Sequence, residues 1–369
     1  MPDRHLMQGD LMSFQHYFRA LLEGKSRGTG ALLILSVLSV FAMPYAILMR
    51  LRALAFRIGV FRTHRLPKPV VSVGNITAGG TGKSPMVAWI ARYLIERGKR
   101  VAVLSRGYGG SAMKTGGIVS DGRRILMQAA EAGDEPVMLA ETVPGLIVAV
   151  GADRYRSGLG VLRQLEADVF ILDDGFQHQR LYRDLDILLL DAKKPLGNGH
   201  VLPAGLMREP RSAASRADLI VYTRCEGVTP VNAFPEIPFC RANHEIVTVR
   251  SLKQANAFEP VASLRSLKGV AFAGIADPER FFSMLRHAGL NLASVIAFPD
   301  HCVYDNEALE RIGEAMDLAE GDYLITTEKD AVKLPEHFLG CQRIYAAILR
   351  ISIPEEKVIF AVLDKMFAS

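Results

Sequence analysis

Gly74-Asn75-Ile76-Thr77-Ala78-Gly79-Gly80-Thr81-Gly82-Lys83-Ser84-Pro85 follows a short apolar run, Val70 to Val73, and precedes a helical pattern. A strand that turns through glycines into a helix N-terminus aims backbone N–H groups at an anion, and the helix dipole reinforces them. Lys83 adds an ammonium and Ser84 a hydroxyl suited to Mg²⁺. Thr77, Ala78, Gly79, Gly80, Thr81, Gly82, Lys83 and Ser84 are therefore the expected cradle for nucleotide phosphates, with Lys83 also catalytic. The helix is predicted by Val87, Ile90 and Leu94 on one face, with Pro85 in the first turn and Gly98 past the end. The general pattern G-x-x-x-x-G-K-[ST] asks for glycine where Thr77 stands; this loop has its extra glycines at Gly79 and Gly80.

Working outward, the 369 residues are 49% hydrophobic, enough for a sizeable core, and the length suggests two domains. The formal charge of +5 is too mild to argue for nucleic acid and suits an anionic membrane surface. Cys225, Cys240, Cys302 and Cys341 have no close pairing, so neither a zinc site nor a disulfide framework is expected. A reducing cytosol fits them.

Residues Ala31 to Met49 carry no charge and are long enough to span a bilayer. Lys25 and Arg27 precede them, and Arg50, Arg52, Arg57, Arg62 and Arg65 follow. Next, Leu51, Leu54, Ile58 and Phe61 fall at helical spacing between arginines, as in a helix lying in the headgroup layer. The two stretches predict a membrane-anchored or membrane-resting N-terminal region, residues 1–65.

From Leu66 onward short apolar runs alternate with helical segments. Strands are expected at Val70–Val73, Val101–Leu104, Leu146–Val150, Val169–Leu172, Asp186–Leu190 and Leu219–Tyr222. This alternation predicts an α/β fold, a mostly parallel sheet with helices on both faces, over residues 66–240. Ligands in such sheets sit beyond the carboxyl ends of the strands. Polar residues gather there: Arg106 to Gly109 after the second strand, Gly133-Asp134-Glu135-Pro136 in a later loop, and Asp153 and Arg154 after the third. The fourth ends in Asp173-Asp174-Gly175-Phe176-Gln177-His178, whose terminal acids suit Mg²⁺ in a phosphate-loop enzyme. In extended backbone the two carboxylates would point to opposite sides, and the sequence leaves open which of them ligates the metal. Asn198 to Arg211 forms a loop with His200, Arg208 and Glu209. A second, smaller α/β unit, residues 241–369, is expected from Val270–Gly274, a helix after Pro278, Ser294–Phe298 and Tyr323–Ile325. It carries Phe298-Pro299-Asp300-His301 and Thr326-Thr327-Glu328-Lys329-Asp330.

With a membrane-type N-terminus, the blocks GNITAGGTGKSP, SRGYGG, GDEP, DDGFQH, LPAGLMREP, FPDH and TTEKDAVK, in one order from Val70 to Lys333, closely resemble the tetraacyldisaccharide 4′-kinase family of Gram-negative bacteria. A residue other than glycine at Thr77 is usual in that family. The resemblance implies ATP and Mg²⁺ as cofactors. It implies transfer of the γ-phosphoryl group to the 4′-hydroxyl of a tetraacylated glucosamine disaccharide 1-phosphate, on the cytoplasmic face of the inner membrane. The lipid disaccharide and the membrane surface are the implied partners; no nucleic acid and no obligate protein partner is expected. It further implies Asp134 as base and His301 as its partner from the second domain. Asp173, Asp174, Glu209 and Ser84 stand as metal ligands, with Asp174 also catalytic, and Arg106, Tyr108, Arg154, Gln177 and His178 as substrate-binding residues. Where relatives often carry a second histidine after the first, this chain has Cys302.

Rival readings meet specific obstacles. A guanine-nucleotide switch needs N/T-K-x-D, which Thr327-Glu328-Lys329-Asp330 does not match, and D-x-x-G after the fourth strand is missing. A non-enzymatic scaffold does not explain the polar residues at the strand ends. A membrane-associated ATPase module driving a partner is the competing alternative; it would have no need of Asp134 or His301.

Overall fold

The computed structural model describes residues 21, 22, 24, 28–253, 257–341 and 343–367. Strand β1 (Val70–Asn75) runs straight into the glycine loop and helix α2 (Lys83–Glu96), as the motif requires. Val71 and Val73 face the same core as Met86, Val87, Ile90 and Leu94 of that helix. Val70 faces the opposite core, where Val161 of α4 (Arg154–Gln164) packs. Covered on both faces, β1 is buried at every position.

The strands around it are β2 (Val101–Ser105), β3 (Gly117–Asp121), β4 (Ile147–Val150), β5 (Val169–Asp173), β6 (Leu185–Asp191) and β7 (Leu219–Thr223). Strands β8 (Phe239–Ser251), β9 (Phe258–Pro260), β10 (Lys268–Ala273), β11 (Asn291–Ala297), β12 (Tyr323–Thr327) and β13 (Ile344–Ser352) follow. The remaining helices needed here are α1 (Thr29–Arg57), α3 (Asp134–Thr142), α5 (Pro278–His287), α6 (Asn306–Leu318), α7 (Glu328–Ala331) and α8 (Glu356–Lys365).

One 13-stranded sheet results, in the order β11-β10-β12-β13-β8-β7-β6-β1-β5-β2-β4-β3, with β9 on β8. It is mostly parallel; β3 on β4, and β13 and β9 on β8, are antiparallel. The first and second halves of the chain thus share a strand. β8 pairs with β7 through Phe239–Ala242 and with β13 through Asn243–Ser251. Helix α8 then returns from the end of the chain, and its Ile359 and Leu363 lie in the core formed by β1 and α2.

At the N-terminus, the two expected helices are one. α1 continues unbroken past Met49 to Arg57 with Pro44 inside it, because Leu51 and Leu54 continue the helical period without a stop signal. Among the described residues it is the one helix long and apolar enough to cross a membrane, and only 6% of its most apolar window is buried. Lys25 and Arg27, expected to flank it, lie outside the described residues. Its C-terminal half is tied to the body: Tyr45 Oη donates to the Arg208 carbonyl at 2.8 Å, and Arg52 Nη2 to the Gln177 carbonyl at 2.9 Å.

Candidate active site

The loop between β1 and α2 is shaped by what presses on it. Gly82, the residue before the helix, has φ 80, which suits glycine. A Cβ on Gly74 would lie 2.7 Å from the Phe176 backbone nitrogen, so the loop's entry is packed against the turn after β5. Asn75 Nδ2 donates to Thr81 Oγ1 at 2.9 Å across the loop. From outside, the Ala78 amide donates to the Leu206 carbonyl at 2.6 Å and the Arg208 amide to the Ile76 carbonyl at 2.7 Å. The 198–211 segment is therefore a brace between α1 and the phosphate loop.

Lys83 Nζ lies 3.6 Å from Asp174 Oδ1, and Arg208 Nη1 donates to Asp174 Oδ2 at 2.8 Å. Burial pushes the Asp174 carboxyl up, but Lys83 and Arg208 outweigh it and hold the group below the ordinary carboxylate range. The expected extended backbone is not found: Asp174 has φ 51, and this left-handed turn aims it at Lys83. Asp173 stays inside. It is 2% exposed, accepts from Ser105 Oγ at 3.1 Å, and its Oδ1 is buried without a partner among the described residues. Burial, with Glu135 and Asp174 adding, pushes its pKa up to about 7. A buried, repelled carboxylate with an orphaned oxygen suits a cation ligand, and Asp173 is the better candidate of the two. Among the described residues no group of three or more His, Cys, Asp or Glu side chains could hold a metal by itself. That fits Mg²⁺, which takes one or two protein oxygens and completes its shell with phosphate and water.

Glu209 is placed differently from the expectation. Arg216 Nη2 meets its Oε2 at 2.5 Å and Arg52 Nη1 lies 3.8 Å from its Oε1. A carboxylate neutralised by two guanidiniums has little left for a metal, so Glu209 ties α1 to the body instead.

Asp134 does not sit in a loop but opens helix α3. The Arg106–Gly109 turn presses on the residue before it, since a Cβ on Gly133 would lie 2.6 Å from the Tyr108 carbonyl oxygen. His301, from the loop after β11, reaches across from the second half, with its Nδ1 3.0 Å from Asp134 Oδ2. Lys329 Nζ, at the start of α7, is 3.3 Å from His301 Nε2, 3.2 Å from Asp300 Oδ1 and 3.8 Å from Glu135 Oε1. Lys333 Nζ lies 3.9 Å from Asp134 Oδ2 and 2.7 Å from Asp330 Oδ1. An ammonium only donates, so Nε2 accepts from Lys329 and Nδ1–H donates to Asp134. His301, Asp174 and Arg224 account for three of the non-glycine residues with positive φ, at 60, 51 and 64; such conformations persist where surrounding contacts enforce them.

Of the expected substrate residues, Tyr108 is 68% exposed with its ring 5.5 Å from that of His301, and Arg106 is exposed beside it in sequence. Arg154, the first residue of α4, is buried and held by the Gly151 and Ala152 carbonyls. Gln177 donates to the Asn75 carbonyl at 2.8 Å. Burial, and then Arg154, pushes His178 down to about 4, and its Nε2 is buried without a partner among the described residues. The motif reading overlooked Glu135, Lys329, Lys333 and Arg224, although three of them stand inside GDEP and TTEKDAVK.

A model of the family described as Tetraacyldisaccharide-1-P 4′-kinase matches residues 34–368. The chain is 53% identical to a tetraacyldisaccharide 4′-kinase of Geobacter metallireducens over 334 residues, 90% of this chain and 98% of that one. It is 51% identical to that of Geobacter sulfurreducens over 355 residues, covering 96% and 100%. A crystal structure of LpxK from Aquifex aeolicus in complex with ATP superposes with a TM-score of 0.79 at 34% identity, covering 90% of this chain and 99% of that one. With a glycine loop bearing Lys83, a carboxylate pair after β5 and an Asp–His pair built from both halves, the chain belongs to the tetraacyldisaccharide-1-P 4′-kinase family.

Proposed function

We propose that this chain transfers the γ-phosphoryl group of ATP to the 4′-hydroxyl of a tetraacyl disaccharide 1-phosphate, using the residues gathered between Lys83 and His301. The observation that carries this assignment of roles is the 3.0 Å contact of His301 with Asp134, whose neighbour Glu135 acts on Asp173 together with Lys83. An ATPase serving a partner has no use for such a pair. Asp134 takes the proton of the 4′-hydroxyl as its oxygen attacks the γ-phosphorus, and ADP leaves. His301 orients Asp134 through Nδ1–H, and Lys329 fixes the tautomer that allows it. Lys83 and the loop amides meet the charge that develops on the phosphoryl oxygens. Asp173 and the Ser84 hydroxyl would hold Mg²⁺, which would supply neutralisation of the phosphate charge. Arg106, Tyr108, Arg154, Gln177 and His178 line the acceptor side. Residues 66–240 carry the nucleotide and 241–369 close over it about β8, with α8 the exception because it packs in the first half. The test is transfer of label from γ-³²P-ATP to a lipid disaccharide 1-phosphate; label appearing only as free phosphate, whether or not acceptor is present, sinks the proposal.

The exposed apolar residues of α1, among them Leu33, Val40, Phe41 and Met43, support membrane binding, and the use of ATP is what favours the cytoplasmic face. Val40→Glu with Phe41→Glu moves the protein from the membrane to the soluble fraction in vesicle flotation, while a smaller substrate analogue in detergent is still phosphorylated. Flotation unchanged by both charges would reject α1 as the anchor.

Asp173 adds a pH signature. Its ordinary value is 3.8 and its folded value about 7, so between those values the folded, metal-free protein holds a proton that the unfolded chain has lost. Stability is then greatest below the lower value and falls as pH rises through the upper one. Melting temperature measured across that window in EDTA should fall with rising pH, Mg²⁺ should offset the fall, and Asp173→Asn should flatten it. An unchanged slope in Asp173→Asn would assign the effect elsewhere.

A further inference from the structure

Packed on the phosphate loop is a buried histidine that none of the sequence motifs includes. His244, in β8, is 6% exposed. A Cβ on Gly82 would fall 2.6 Å from its Nε2 and 2.7 Å from its Cε1, so the ring lies directly against the last glycine before Lys83. The ring is held from behind. Arg280 Nη2, from α5 in the second half, is 3.4 Å from Nδ1. Glu226 joins the two, accepting from the His244 amide at 2.5 Å and lying 3.6 Å from Arg280.

A guanidinium only donates, so Nδ1 is the acceptor and the ring proton sits on Nε2, facing the loop. Burial, aided by Arg280 and Arg224, pushes the imidazole down to about 3, which keeps the ring neutral near physiological pH. Its Nε2 is buried and unpartnered among the described residues. Buried polar groups are rarely left so without a reason. A second tie runs alongside, where Arg224 donates to the Gly80 carbonyl and pairs with Asp191 at 3.0 Å. An apolar side chain of similar size would fill the space under Gly82 but would not answer to Arg280.

We propose that His244 is a positioning residue for the nucleotide: oriented by Arg280, it holds Gly82 and the neighbouring amides in their phosphate-accepting geometry and makes ATP affinity depend on the second half of the chain. This rests on the reading of Gly79–Ser84 as the ATP phosphate loop.

The test uses the full chain in detergent. Mg–ATP is titrated at saturating lipid acceptor and acceptor at saturating Mg–ATP, for wild type, His244→Ala, His244→Gln, Arg280→Ala and the His244→Ala/Arg280→Ala double variant, with Lys83→Ala as reference. His244→Ala and Arg280→Ala should each raise the KM for ATP about tenfold and leave that for acceptor within about twofold, as expected for one lost oriented contact. The double variant should match the worse single, because the two act through one contact. His244→Gln, which keeps an N–H, should recover most of the affinity. A fall in melting temperature with the ATP KM unmoved, a parallel rise in both KM values, or additive effects would each overturn the proposal. A failure of the phosphate-loop reading is distinct from these: Lys83→Ala would then leave turnover intact.

Discussion

Asp134→Asn lowers kcat by about a thousandfold or more while the KM for ATP stays near its wild-type value. The amide has the shape of the carboxylate and can still accept from His301 Nδ1, which lies 3.0 Å away in the native pair, so the two halves remain in contact. It lacks the basicity to take a proton from a sugar hydroxyl. Loss of turnover without loss of ATP binding is the signature of a group that acts only as the transition state forms. His301→Ala should cost less, roughly ten- to a hundredfold, because the carboxylate remains and only its orientation is lost. Steady-state assays with γ-³²P-ATP at saturating acceptor measure both. Turnover of Asp134→Asn within a factor of about ten of wild type would remove Asp134 from the role of base.

Lys83→Ala is expected to be comparably severe, about a thousandfold in kcat, and Lys83→Arg should not rescue it. Lys83 has 14% of its side chain exposed and sits 3.6 Å from Asp174. A compact ammonium fits there, whereas a planar guanidinium would also compete with Arg208 for the same carboxylate. The damage extends beyond the missing cation. Asp174 would keep Arg208 but lose the first of the charges that hold its carboxyl low. Single-turnover kinetics separate this effect from ATP binding. Robust phosphoryl transfer by Lys83→Ala would reassign the charge-stabilising role to Arg208 or Lys329.

The parts legible in the sequence were those written locally. The glycine loop, its strand and its helix occupy one unbroken stretch, and the central parallel strands announced themselves as apolar runs because both faces of each are covered. The edge strand β3 and the shared strand β8 did not. β8 reads Phe-Cys-Arg-Ala-Asn-His-Glu-Ile-Val-Thr-Val-Arg-Ser, with exposed, intermediate and buried positions mixed along it, and β3 is a short edge strand of mixed polarity. Within the site, Asp134 and His301 came from motif resemblance, and their contact is borne by the fold. The pairing of Glu209 was not legible because its arginines, Arg52 and Arg216, owe their position to α1 and to the segment after the brace. His244 carries no signal at all in sequence, since its meaning lies in Gly82 and Arg280, both far from it along the chain.

The return of α8 bears on how this protein is made. Ile359 and Leu363 complete the core around β1 and α2, yet they are synthesised after every strand of the sheet. Synthesis usually lets an N-terminal unit close before the rest has emerged. Here the nascent first half must wait with an open flank until α8 has emerged, and a chain that stops before Glu356 would have no finished half to salvage.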